Sequence, residues 1–188
     1  MLYQLLIDAL NTLRFHYKHP AEYRYSPAAI IAVLILTGMV NAAGMAPVLG
    51  QSMGAISFSI VLTIFKWLIL SYAMRSTLHY GGSPKLPIGG FILVSEALII
   101  PSLTVFYFPA ISTLAVFWQV WIFWAQAIGL MKMGNVSGFR VLTGYIIYIL
   151  ILMVVGTLLI SLYGTLGWLD TQSIANHISD LMNAAATK

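Results

Sequence analysis

Residues 141–164 contain no Asp, Glu, Lys, Arg or His, and four further stretches between 27 and 131 are nearly as bare of charge. Each is close to the roughly 20 apolar residues that a helix needs to cross about 30 Å of hydrocarbon. Water-soluble packing cannot use such runs in this number. Only 7% of the chain is charged, and its mean hydropathy is +0.92, whereas a soluble domain carries about 25% charged residues to cover its surface. The fold expected is all-α: a polytopic membrane bundle of five transmembrane helices with an amphipathic helix at each end.

The expected organisation is a cytoplasmic or interfacial amphipathic segment (1–25), a five-helix transmembrane domain (26–164) and an amphipathic extracytoplasmic tail (165–188). In the first segment Leu2, Leu6, Ala9, Leu10 and Leu13 recur at helical spacing, with Gln4, Asp8, Asn11 and Thr12 elsewhere on the wheel. This predicts a short helix in the membrane interface or docked on the bundle. It does not read as a signal peptide: a basic leader is lacking, Asp8 interrupts the apolar stretch, and no small-residue cleavage pattern follows promptly. Ser26-Pro27, an N-cap followed by proline at the first helical position, opens the first span. The spans are expected at about 27–45, 53–74, 88–108, 111–131 and 141–164, with Asn41 and Gly44 at the far end of the first and Pro101 accepted inside the third. In the tail, Ile174, Ile178, Leu181 and Met182 line one helical face, which Asp170 is placed to cap.

Charge sets the orientation. Arg14, Lys18 and Arg24 precede the first span, Arg75 and Lys85 follow the second, and Lys132 and Arg140 follow the fourth. The loops after the first and third spans hold no Lys or Arg. By the positive-inside rule the N-terminus lies in the cytoplasm and the C-terminus outside. The net charge of +4 then belongs to loops beside anionic lipid rather than to a nucleic-acid face.

Lys66 and Glu96 are the ionisable residues within spans. Both are expected about 12–14 Å from the cytoplasmic edge on adjacent helices, and a lone charge at the bilayer centre costs about 2.5–3.5 kcal/mol or more. A Lys66–Glu96 contact is therefore predicted. It serves either as a pair that fixes the hairpin register or as a proton- or ion-coupling site. With no further acidic relay, the structural role is favoured. Gln119 and Gln126 are seven apart and share a face, beside a stripe of Phe117, Trp121 and Trp124. They read as interhelical hydrogen-bonding groups with lipid-facing aromatics, or as a groove for an amphiphile. Gly50 and Gly54 form a small-xxx-small pattern that suits close helix contact.

Enzymatic function is not expected. With no cysteine, disulfides, thiolate metal sites and thiol catalysis are excluded. No nucleophile–base set or phosphate loop is present. His16, His19, His79 and His177 lack metal-ligand spacing, so no metal or cofactor is expected.

The second span ends in STLHYGGSPKLP, the third continues SEALIIPSL, and the fourth runs WQVWIFWAQAIGLMKMGNVSGFRVL into the last helix. Over residues 27–164 this order resembles the Ypt-interacting-protein (Yip) domain family, in particular its compact bacterial members. The positions that carry the resemblance are His79, Gly81, Gly82, Pro101 and the loop from Gly129 to Arg140. The resemblance implies a five-helix membrane domain and defines no reaction. Eukaryotic relatives are associated with small-GTPase trafficking; they carry a long hydrophilic N-terminal region and an Asp-Leu-Tyr-Gly-Pro signature, both absent here. A bacterial inner-membrane protein is the expectation. Two functions follow: a scaffold or accessory subunit partnered by lipids and by other membrane subunits or further copies, and a small transporter or lipid-handling protein using Lys66 and Glu96.

Overall fold

In a computed structural model, residues 2–108, 112–170, 172 and 174 are described. Every regular element among them is helical. The helices are α1 (Leu2–Leu13), α2 (Pro27–Leu49), α3 (Met53–Tyr80), α4 (Gly89–Ala97), α5 (Thr104–Tyr107), α6 (Ser112–Gly134) and α7 (Gly138–Thr165), with 3-10 turns at Pro20–Glu22 and Ile100–Leu103. Among the described residues, four helices (α2, α3, α6 and α7) are long and apolar enough to cross a membrane. The protein is thus consistent with an integral membrane protein.

The helix starts follow local chemistry. Ser26 Oγ accepts from Ala29 N at 3.3 Å with Pro27 behind it, and Ser52 Oγ accepts from Ala55 N at 3.1 Å. Each bond satisfies one of the donors orphaned at a helix start. α2 runs past Asn41 and Gly44 to Leu49, so these residues lie inside the helix rather than at its end. Gly50, at φ +77°, then stops it. α3 continues beyond Arg75 to Tyr80, and Gly82, at φ +95°, turns the chain.

The stretch expected as the third span is not one continuous helix. α4 ends at Ala97, and the chain tightens into the 3-10 turn that holds Pro101. Proline has no N–H to donate and its ring collides with the carbonyl four residues back, which here belongs to Ala97. Pro101 therefore ends the helix instead of being absorbed in it.

α4 occupies the centre of the core. Phe91, Ile92, Leu93 and Val94 are fully buried, and Leu70, Met74 and Leu78 of α3, Leu130 of α6 and Val141 of α7 belong to the same cluster. A Cβ on Gly90 would stand 1.9 Å from the Tyr23 carbonyl oxygen, so only glycine lets the segment before α2 lie directly on α4. Gly54 gives similar access to the Trp168 carbonyl, at 1.7 Å from an added Cβ. The two glycines of the Gly50/Gly54 pattern thus stop a helix and admit a loop; neither is explained by helix pairing. α7 packs along α3 with Phe58 edge-on to Tyr163 at 5.4 Å and Gly144 against the Met74 sulfur.

α1 docks with a mixed face inward. Leu5, Asp8, Ala9 and Thr12 are buried, while Tyr3, Leu6 and Leu10 face outward. Leu5 and Ala9 join the apolar core with Leu13 packed against them, and the polar groups of Asp8 and Thr12 are buried beside them. The amphipathic tail helix read from Ile174, Ile178, Leu181 and Met182 lies outside the described residues except for Ile174. Asp170 Oδ1 accepts from Gln172 N at 3.1 Å.

Candidate functional site

Among the described residues, three polar clusters within the apolar bundle involve α1 or α4, and α4 joins two of them; a fourth links α2 to α3, where Asn41 Nδ2 donates to Thr63 Oγ1 at 2.9 Å. On its α3 side, Glu96 Oε2 stands 4.0 Å from Lys66 Nζ. The structure thus brings together the two ionisable residues of the apolar runs. The contact is loose: the side chains keep 28% and 20% of their exposure, for Lys66 and Glu96 in turn.

One residue earlier, Ser95 points the other way. Gln126 Nε2 donates to Ser95 Oγ at 2.7 Å, and Tyr145 O–H donates to Gln126 Oε1 at 2.6 Å. Ser95 in turn donates to the Ile92 carbonyl at 2.9 Å. Three buried side chains from α4, α6 and α7 therefore close a directed chain of hydrogen bonds. Burying an amide without partners would cost about 1–3 kcal/mol, so this chain fixes how the three helices meet. Gln119 does not join it. That residue is exposed on α6, so the expected shared polar face reduces to Gln126 alone. Phe117, Trp121 and Trp124 face outward, and the Trp121 indole N–H donates to the Leu13 carbonyl at 3.3 Å.

The third cluster holds a residue that the sequence did not single out. Asp8 of α1 is only 1% exposed. Its Oδ1 meets Lys18 Nζ, and its Oδ2 accepts from Tyr25 O–H at 2.7 Å. Around it, Tyr23 O–H accepts from Lys18 N at 3.3 Å and Thr12 O–H donates to the Asp8 carbonyl at 2.8 Å. Burial raises the phenol of Tyr25, and the hydrogen bond to Asp8 adds to the shift; burial likewise raises Tyr23. Nearby, burial pushes Tyr17 up to about 12, and its O–H donates to the Ala125 carbonyl at 2.8 Å. All three phenols remain neutral at physiological pH. The cluster latches the segment before α2 to α1. The signal in the sequence was the Leu5-Asp8-Ala9-Thr12 face, helically spaced and opposite to Tyr3, Leu6 and Leu10.

The residues of the family-like pattern gather unevenly. His79 is exposed at the end of α3, where Nδ1 lies 3.1 Å from the Ser83 carbonyl. A carbonyl only accepts, so Nδ1 carries the proton. Gly82 has the positive φ that the turn requires, whereas Gly81 (φ −75°) does not. Gly81 instead offers its carbonyl to the Arg140 guanidinium. Pro101 lies apart, at the break after α4. Of the loop expected from Gly129, only residues 135–137 lie outside the helices. Among the described residues no three His, Asp or Glu side chains converge as metal ligands, and His177 lies outside them. Compared with protein-family models, curated proteins and solved structures, the chain matches none.

Proposed function

We propose that the protein is a non-enzymatic membrane scaffold or accessory subunit of the compact Yip type, with five crossings, in a bacterial inner membrane. The observation that carries the scaffold reading is the isolation of α7. Only 6% of its most apolar stretch is buried inside the chain, against 28% in each of α2, α3 and α6. It rests on α3 along one line and leaves Ile146, Leu150, Met153 and Val154 outward. A long, nearly uncovered helix suits docking of another membrane subunit or a further copy of the chain, with lipid filling the remainder.

The fifth crossing is supported by polarity. Leu78, near the end of α3, faces Gly134 at the end of α6, so both helices finish on one side. The chain between them must return to the other. α4, the 3-10 turn and α5 together rise about 27 Å if they run on in one direction. The side where Arg75, Lys85, Lys132 and Arg140 collect is then cytoplasmic.

A photo-crosslinker at Met153 in native membranes tests the scaffold reading. A protein adduct of fixed mass is expected; lipid adducts alone would sink it. The second reading, a small transporter or lipid-handling protein, is favoured by the incomplete closure of Lys66 on Glu96. The chain has no native cysteine, so Ala97→Cys is a clean probe. Rapid reaction with a membrane-impermeant maleimide would support a water path beside Glu96, and protection would support a sealed core.

A further inference from the structure

We propose that the pocket at the end of α3 holds the phosphate of an anionic phospholipid, gripped by Arg75 and Lys85. The pocket encloses about 630 Å³ and is lined by Tyr72, Arg75, Ser76, His79, Tyr80 and Lys85. Two cations and several hydroxyl groups line it, and no carboxylate does. Neither cation has a partner among the described residues. Lys18 and Lys66 have carboxylate partners, Arg140 holds the Gly81 carbonyl, and Lys132 sits over the Tyr17 ring at 5.4 Å. Arg75 and Lys85 have no hydrogen bond, ion pair or ring contact among the described residues.

The backbone that carries the two cations is also fixed. Arg75 belongs to α3, and Lys85 follows the turn that brings the chain back beside it. That turn is fixed by three contacts: Ser83 N to the Leu78 carbonyl at 3.1 Å, His79 Nδ1 to the Ser83 carbonyl, and Arg140 to Gly81. A guanidinium fork and an ammonium point charge are complementary to the two non-bridging oxygens of a phosphodiester.

The source of the phosphate is argued from the rest of the helix face. Phe65, Leu68, Tyr72, Arg75 and His79 are all exposed on α3, at spacings of three and four that place them in one stripe. The apolar end of this stripe runs directly into the cationic end. Tyr72 and Tyr80, 72% and 91% exposed, stand where headgroup-layer phenols are favoured. A free phosphate would use the pocket and ignore the stripe; a lipid uses both.

The test uses the full chain in neutral detergent, titrated with phosphatidylglycerol, with phosphatidylcholine of the same acyl chains, and with inorganic phosphate. Binding is read by native mass spectrometry for the lipids and by the thermal midpoint for all three. Phosphatidylglycerol is expected to bind about tenfold or more tightly than phosphatidylcholine, as two uncompensated cations imply. Arg75→Gln/Lys85→Gln should abolish that preference, while Arg14→Gln/Arg24→Gln, of equal charge change, should keep it. Leu68→Ala, on the apolar stripe but outside the pocket lining, should weaken phosphatidylglycerol without affecting phosphate. Equal losses in both double variants would overturn the proposal in favour of diffuse attraction. Stabilisation by inorganic phosphate matching that by phosphatidylglycerol would overturn the lipid assignment. Arg75, Lys85 and Leu68 are exposed, so these variants retain the core, and an unchanged midpoint without ligand verifies it.

Discussion

Among the described residues there are two carboxylate–lysine pairs, and they differ in nearly every physical respect. Asp8 is enclosed, contacts Lys18 directly and has its second oxygen occupied by Tyr25. Glu96 meets Lys66 only at 4.0 Å, and both side chains stay partly exposed. Desolvating a carboxylate is costly unless each oxygen finds a partner. Asp8 meets that condition; Glu96 avoids the full cost by remaining partly open. The tight pair is therefore architecture, and the loose one is where charge retains freedom to respond to a ligand, a proton or a neighbouring subunit.

That contrast can be broken most forcefully at Asp8. Asp8→Ala leaves the Lys18 ammonium and the Tyr25 hydroxyl without their partner. Because Lys18 is partly exposed, the expected loss is about 2–3 kcal/mol, a fall of roughly 5–10 °C in the thermal midpoint in detergent. An unchanged midpoint would show that the latch is not structural. Gly90→Ala should follow, costing about 1–3 kcal/mol by forcing Tyr23 away from α4. Gly44→Ala, where an added Cβ meets nothing within 4 Å, should leave the midpoint within error or raise it slightly.

A smaller effect is expected with alkali. The phenols beside α1 have raised folded values, Tyr17 to about 12 and Tyr23 and Tyr25 also upward, chiefly through burial. In the unfolded chain they ionise near pH 10. The folded state then binds more protons than the unfolded state, so stability is full below pH 10 and falls as pH rises through about 12. Tyr17→Phe/Tyr25→Phe should flatten that slope in a midpoint-against-pH series; an identical slope would assign the loss to lysine deprotonation. The smallest effect is expected from a double-mutant cycle on Lys66→Met and Glu96→Gln, with a coupling of about 0.5 kcal/mol or less. The same cycle on Lys18→Met and Asp8→Asn should exceed about 1.5 kcal/mol. Equal couplings would erase the distinction.

Most of the helix map was legible because long apolar runs and the Ser26 cap are local signals. The Lys66–Glu96 contact was legible for a related reason: helix rise alone sets the two residues at matched depth. Three features were not legible. Pro101 ends a helix or bends it depending on whether neighbours satisfy the freed carbonyl, which sequence does not state. Gln119 and Gln126 share a helical face, but only Gln126 is met by Ser95 and Tyr145. The burial of Asp8 was not legible because an amphipathic wheel says which residues share a face, not which face looks inward. In α1 the inward face is mixed, with Leu5 and Ala9 buried beside Asp8 and Thr12.

The burial of Asp8 on α1 has a consequence for biosynthesis. This helix leaves the ribosome before α2, α4 and α6, and so before everything it packs on except its own flanking segment. Exposed to lipid without those partners, the Asp8 carboxylate would cost about 2.5–3.5 kcal/mol or more. α1 must therefore wait at the membrane surface while later helices insert, and it takes its native place after segments translated later. Chains stalled before Ser112 should leave a cysteine at Ala9, a buried position, open to aqueous reagents, and chains released after Thr165 should protect it.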